Sequence, residues 1–160
     1  MKDPRVYLGL DTSIDKALQL SFAAGSSTNI PPQSAKGKLA GTMTIRGQVA
    51  VGAPTNNAMN LTAQLVMYSD IDQLTYDTFD DLPTLSMQLS KVPDGMLDGT
   101  LLGPCKVSGE LEGTVDFAVR FTSALRPGPA GVMVERTPGT IHVTGSVTSD
   151  YDVHIIDMTL

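Results

Sequence analysis

From Cys105 to Leu125 apolar and polar side chains alternate without a break. The odd positions run Cys105, Val107, Gly109, Leu111, Gly113, Val115, Phe117, Val119, Phe121, Ser123, Leu125. The even positions include Lys106, Glu110, Glu112, Asp116 and Arg120. Successive side chains of a strand point to opposite faces, so the segment has one apolar and one wet face. That is the pattern of an antiparallel sheet packed on one side only. At ~3.3 Å per residue the run would reach roughly 70 Å, too long for one straight strand. Gly109 and Gly113 are the expected bulges or bends.

Alternation recurs elsewhere. In Leu39 to Val51 it places Leu39, Met43, Ile45, Val49 and Val51 inward. In Met59 to Tyr68 it places Met59, Leu61, Ala63, Leu65 and Met67 inward and Tyr68 outward. Pro54 and Asn56-Asn57 between these runs predict a hairpin with a longer loop. Thr84 to Ser90 is a shorter strand, with Leu85, Met87 and Leu89 inward. Pro93-Asp94-Gly95 and Asp98-Gly99 read as turns, with a further strand near Thr100 to Leu102. The last run, Ile141 to Ile155, has Val143, Val147, Val153 and Ile155 inward and both His142 and His154 outward.

The N-terminus has a different period. Ile14, Ala17, Leu18, Ser21 and Phe22 share one helical face. Thr12 with Asp15 resembles a capping box and Gly25 a C-terminal stop, which predicts a helix over 12–24. Residues 26–38, with Pro31-Pro32, read as a linker. The expected architecture is one domain over 1–160, a β-rich body over 39–160 with the helix packed against it. The class is mainly β, an antiparallel β-sandwich or barrel of about six to eight strands.

Composition narrows the partners. The net charge is −6 and no Lys/Arg cluster reverses it locally, which argues against nucleic acid. No apolar run approaches the ~20 residues of a membrane helix, so no membrane span is expected. The single cysteine excludes an internal disulfide. On the inward parity of its strand, Cys105 reads as a small buried hydrophobe. Met1-Lys2-Asp3-Pro4 runs into Val6-Tyr7-Leu8 without the order of a signal peptide. The Thr/Ser/Gly-rich, cysteine-poor body nevertheless suggests an exported protein whose signal has been removed, placed in the periplasm, on the cell surface or outside the cell.

Candidate chemistry is sparse. Asp70, Asp72, Asp77, Asp80 and Asp81 place five carboxylates on one predicted loop, an oxygen-rich set that suits Ca²⁺ but lacks EF-hand spacing. His142 and His154 would stand ~40 Å apart on a straight strand, too far to share a metal unless the chain turns near Ser149-Asp150. No nucleophile elbow, phosphate loop or dinucleotide fingerprint occurs, so neither an enzyme nor a bound cofactor is expected. Met43, Met59, Met67 and Met87 share inward parity. Such flexible side chains suit a pocket for a hydrophobic molecule.

The N-terminal helix, the Pro31-Pro32 linker, and the phrases Pro93-Asp94-Gly95 and Pro138-Gly139-Thr140-Ile141-His142-Val143-Thr144-Gly145 resemble uncharacterised secreted or lipid-anchored β-rich bacterial proteins. Phe79-Asp80-Asp81-Leu82-Pro83-Thr84-Leu85 and Lys106-Val107-Ser108-Gly109-Glu110-Leu111 resemble the bacterial periplasmic lipocalin-like polyisoprenoid-binding family. That second resemblance implies a barrel enclosing a lipid chain. The leading expectation is a non-enzymatic extracytoplasmic bacterial domain with a structural or protein-interaction role and a protein partner. The alternative is a carrier of a hydrophobic small molecule or lipid.

Overall fold

A computed structural model of the chain describes residues 5–23, 29–51, 57–78, 81–91, 94–128, 134–149 and 152–160. Helix α1, Arg5–Ala23, precedes ten strands: β1 Asn29–Lys36, β2 Ala40–Val51, β3 Asn57–Ser69, β4 Leu74–Asp77, β5 Thr84–Ser90, β6 Met96–Gly109, β7 Gly113–Pro127, β8 Val134–Arg136, β9 His142–Ser149 and β10 Val153–Thr159. All ladders are antiparallel. The sheet runs β1-β2-β3-β4-β6-β7-β9-β10. β5 lies beyond β4 in the same row between β3 and β6, and β8 pairs with β7 beyond β9. The strand count thus exceeds the expected six to eight because two rows are each split in two. β1 and β10 are the edges, and no ladder among the described residues joins them into a closed barrel.

The long alternating run is two strands. β6 and β7 pair Cys105 with Val115 and Val107 with Gly113, and the chain turns at 110–112. Directly opposed residues share a face. Here odd pairs with odd, so the alternation passes through the turn unchanged. Val115, Phe117, Val119, Phe121, Ser123 and Leu125 are all buried, and each large apolar one contributes roughly 1.5–3 kcal/mol of burial. Asp98-Gly99, expected as a turn, lies inside β6.

β9 and β10 do the opposite. Thr148 pairs with Val153 and Val147 with His154, even with odd. The parity inverts across the hairpin, so His154 is buried while Val153 and Ile155 are exposed, at 44% and 48%. The expected outward His154 and inward Val153 and Ile155 are therefore corrected. His142 is exposed as expected.

A third break is a bulge. Between Ala40↔Ser69 and Thr42↔Val66, β3 carries one residue more than β2. Met67 takes a left-handed φ of 48° and turns outward at 58% exposure, and Tyr68 turns inward. Gly41 opposite, at φ 73°, allows this approach: a Cβ there would lie 2.1 Å from the Met67 carbonyl oxygen. Met67 and Tyr68 thus exchange their expected faces, and Leu39 is exposed at 57% rather than buried.

The helix begins at Arg5, not Thr12, which lies mid-helix. Val6, Tyr7, Leu10, Ile14, Ala17 and Leu18 form its buried stripe, in one core with the inward residues of the strands. The side chains of Ser21 and Phe22 fall outside the described residues. The expected linker contains edge strand β1, whose Pro31-Pro32 coincides with a register shift against β2.

Candidate functional site

Two buried polar clusters fasten the helix to the sheet. Asp70, whose side chain is 1% exposed, accepts hydrogen bonds from Thr12 Oγ1 at 2.6 Å, Lys16 Nζ at 2.6 Å, the Lys38 N–H at 2.8 Å and the Tyr68 hydroxyl. Burial alone would raise the Asp70 carboxyl. The bonds from Lys16, Thr12, Tyr68 and Lys38 outweigh it and hold the group below the ordinary carboxylate range. Arg136 is fully buried beneath Asp11 and Asp15. Its Nε reaches Asp15 Oδ1 at 2.8 Å and its Nη1 reaches Asp11 Oδ1 at 3.2 Å. A charge removed from water needs such partners.

Tyr76 ties the first described turn of the helix to the sheet, its hydroxyl donating to the Val6 carbonyl at 2.8 Å. Gly9 makes room for it, since a Cβ there would lie 2.2 Å from that hydroxyl oxygen. Arg5 pairs with Glu110 at the β6–β7 turn. Beneath this corner, between the β6–β7 and β9–β10 turns, lies a cavity of about 220 Å³. Val6, Val107, Leu111 and Val115 supply its apolar wall, and Glu112, Ser149, Asp152 and His154 its polar one.

His154 is the unusual member. It is 7% exposed and its Nδ1 has no hydrogen-bond partner. Leaving such an atom unpaired costs about 1–3 kcal/mol. By contrast His142 Nδ1 lies 3.3 Å from Thr159 Oγ1 on the surface. Ser149 Oγ is engaged in its own turn, donating to the Asp152 carbonyl at 3.2 Å and accepting from the Asp152 N–H at 3.1 Å. Among the described residues no three His, Cys, Asp or Glu side chains converge to hold a metal ion.

A second cavity of about 220 Å³ opens where β4 and β5 part, lined by Asp77, Thr78, Asp81, Pro104, Cys105, Lys106 and Thr114. Thr78 bridges the parting, its Oγ1 accepting the Leu65 N–H at 2.9 Å. Cys105 Sγ donates to the Asp77 carbonyl at 3.5 Å. Burial pushes its thiol up to about 12. A thiol so held is not a nucleophile at neutral pH.

The residues singled out in the sequence scatter. Met43, Met59 and Met87 lie in the general core, Met59 opposite Met87, and line neither cavity. Met67 is on the surface. Of the acidic set, Asp70 is turned inward and its carboxylate taken, Asp72 and Asp81 are exposed, and Asp77 borders the second cavity. Asp80 lies outside the described residues. Sequence reasoning missed Arg136, although inward Val134 two positions earlier puts it on the buried face. It misplaced His154 because the β9–β10 turn inverts the parity. No helix of the described residues is long and apolar enough to cross a membrane. Comparison with protein-family models, with curated proteins and with solved structures finds no match for this chain.

Proposed function

We propose that this chain is a non-enzymatic binding domain that holds a small, largely apolar molecule in the end cavity beside His154. One observation carries the reading: a mostly apolar space is lined in part by His154, a buried histidine whose Nδ1 has no partner in the fold. At about 30 Å³ per water, the space suits roughly seven to ten non-hydrogen atoms. The space is too small to enclose a polyisoprenoid chain. No chemical step belongs to the reading, because the Cys105 thiol stays protonated and the Ser149 hydroxyl serves its turn. The Thr/Ser/Gly-rich, cysteine-poor strands favour an extracytoplasmic bacterial setting for it.

The test is a methyl-resolved NMR screen of the whole chain against fragments of that size. The expected result is saturable shifts at Val6, Val107, Leu111 and Val115, lost in Leu111→Trp, which narrows the cavity. Absence of any saturable shift at these methyls refutes the reading.

A protein-interaction role is the second reading, and the open β10 edge favours it. Ile141 and Leu160 exchange both backbone hydrogen bonds. By ladder alternation the N–H and C=O groups of Ile155, Asp157 and Thr159 therefore point away from β9. The opposite edge is blunted by Pro31, Pro32 and a register shift, whereas β10 has neither proline nor shift and presents Val153 and Ile155. On this reading an extended segment of a partner adds to β10.

A further inference from the structure

We propose that the β10 edge takes an extended segment that sets a lysine or arginine opposite Asp157 and an aliphatic residue opposite Ile155. The inference rests on the strand-addition reading above and specifies the partner's side chains. The outer face of the sheet falls into rows, because directly opposed residues of paired strands are neighbours on one face. One row runs Leu102, Ala118, Ser146, Ile155 across β6, β7, β9 and β10. It begins and ends on aliphatic side chains, each 48% exposed, and carries no charge. The next row runs Thr100, Arg120, Thr144, Asp157. Its cation is engaged: Arg120 holds both carboxylate oxygens of Asp98, at 3.1 and 2.7 Å. The Asp157 side chain is 73% exposed, with the His142 Nε2 3.8 Å from its Oδ1. A strand one step further out would continue both rows, with an aliphatic residue beside Ile155 and a cation beside Asp157.

Charge and register set a second copy of the chain aside. Antiparallel pairing of β10 with another β10 opposes odd residues to odd ones, since these carry the outward backbone groups. Within that strand Asp157 then meets Val153, Ile155, Asp157 or Thr159, and never a cation. Setting Lys36 of a second copy's β1 antiparallel opposite Asp157 leaves Ile155 and Val153 beyond that strand's end. The net charge of −6 repels a copy and attracts a cationic segment. Antiparallel pairing is the more stable kind per residue. Such a partner reads, from its N-terminus, cation, any residue, aliphatic, any residue, aliphatic, against Asp157, Ile155 and Val153. Val153 already gives its N–H to Asp152 Oδ1 at 2.8 Å, so the backbone anchors are Ile155, Asp157 and Thr159.

Three acetylated and amidated peptides test the idea: Thr-Lys-Thr-Ile-Thr-Val-Thr and its versions with Gln or Glu in place of the lysine. Each is titrated at pH 7 and low ionic strength into the labelled full chain, and the readouts are the Ile155, Asp157 and Thr159 amides. The lysine peptide is expected to bind at least about fivefold more tightly than the glutamate peptide, with glutamine between them. In Asp157→Asn, a change at an exposed position, the three affinities are expected to converge. N-methylation of the lysine and isoleucine amides removes two donors to the edge and is expected to abolish binding. Equal affinities in the wild-type chain, or a lysine preference that survives Asp157→Asn, overturn the cation assignment and leave strand addition standing. If no peptide moves these amides, or the N-methylated peptide binds as well as its parent, strand addition falls with it.

Discussion

Asp70→Asn isolates the physics that holds the helix in place. The wild-type carboxylate offers its lone pairs to four donors from three parts of the chain, and its side chain is 1% exposed. Asparagine keeps the shape but loses the charge, and turns one acceptor into an NH₂ donor. Its NH₂ can turn toward the Thr12 and Tyr68 hydroxyls, which must then accept instead of donate, while Lys16 loses the charge of its partner. Removing one partner of a buried ion pair costs about 3–5 kcal/mol. Lys16 is one quarter exposed and can partly retreat to water, so we expect the low end, about 3 kcal/mol. For a chain of this size that lowers Tm by about 6–12 °C. The assay is urea unfolding followed by circular dichroism at pH 7, with exposed Asp72→Asn as control, expected within about 0.5 kcal/mol of wild type. The pH dependence carries its own sign. The folded carboxyl titrates below the ordinary range, so its contribution is present above the unfolded value near 4 and is lost as pH falls through the folded one. The cost of Asp70→Asn should therefore shrink below about pH 4. A cost under about 1 kcal/mol at pH 7 refutes the argument. So does a Ca²⁺-dependent rise in wild-type Tm that Asp70→Asn abolishes, because it would make the carboxylate a cation ligand.

Two further outcomes follow from the same geometry. The folded Cys105 thiol lies near 12, above a free thiol, so its stabilising contribution is complete below about pH 8.5 and is lost as pH climbs toward 12. Cys105→Ala should show a shallower alkaline decline in that window, and Ellman's reagent at pH 8 should label the native wild-type chain far more slowly than the unfolded one; labelling of native protein at the free-thiol rate contradicts the burial. In hydrogen exchange read by NMR, the Ile155, Asp157 and Thr159 amides should exchange orders of magnitude faster than those of Ile156 and Met158, which face β9. Equal protection along β10 would mean that the edge is covered, and strand addition there would fail.

The alternation at 115–125 is fully legible in the sequence because each residue's face depends only on its neighbour. What a sequence pattern cannot carry is the pairing across a turn. The β6–β7 hairpin joins odd to odd and so hides itself inside one long run, which made two strands look like one. The β9–β10 hairpin joins even to odd and reverses every later face, which sends Val153 and Ile155 outward. The bulge opposite Gly41 does the same to Met67 and Tyr68, and that single extra residue brings the Tyr68 hydroxyl to Asp70. The helix is a different case. Its buried stripe continues through Leu10, Tyr7 and Val6, but Thr12 and Asp15 imitate a cap. Thr12 instead donates to Asp70, and Asp15 holds Arg136, partners separated by 58 and 121 positions.

These reversals decide where a site can exist. Were β10 to keep the parity of β9, His154 would face water and Val153 and Ile155 would turn inward. The inversion exchanges a hydrophobic plug for an imidazole, at the cost of two exposed aliphatic side chains and one unpaired nitrogen. Of those three groups the unpaired nitrogen is the unfavourable one. They occur together on one short strand, and that co-location is the strongest physical reason to look for binding at this end of the molecule rather than along the methionines of its core.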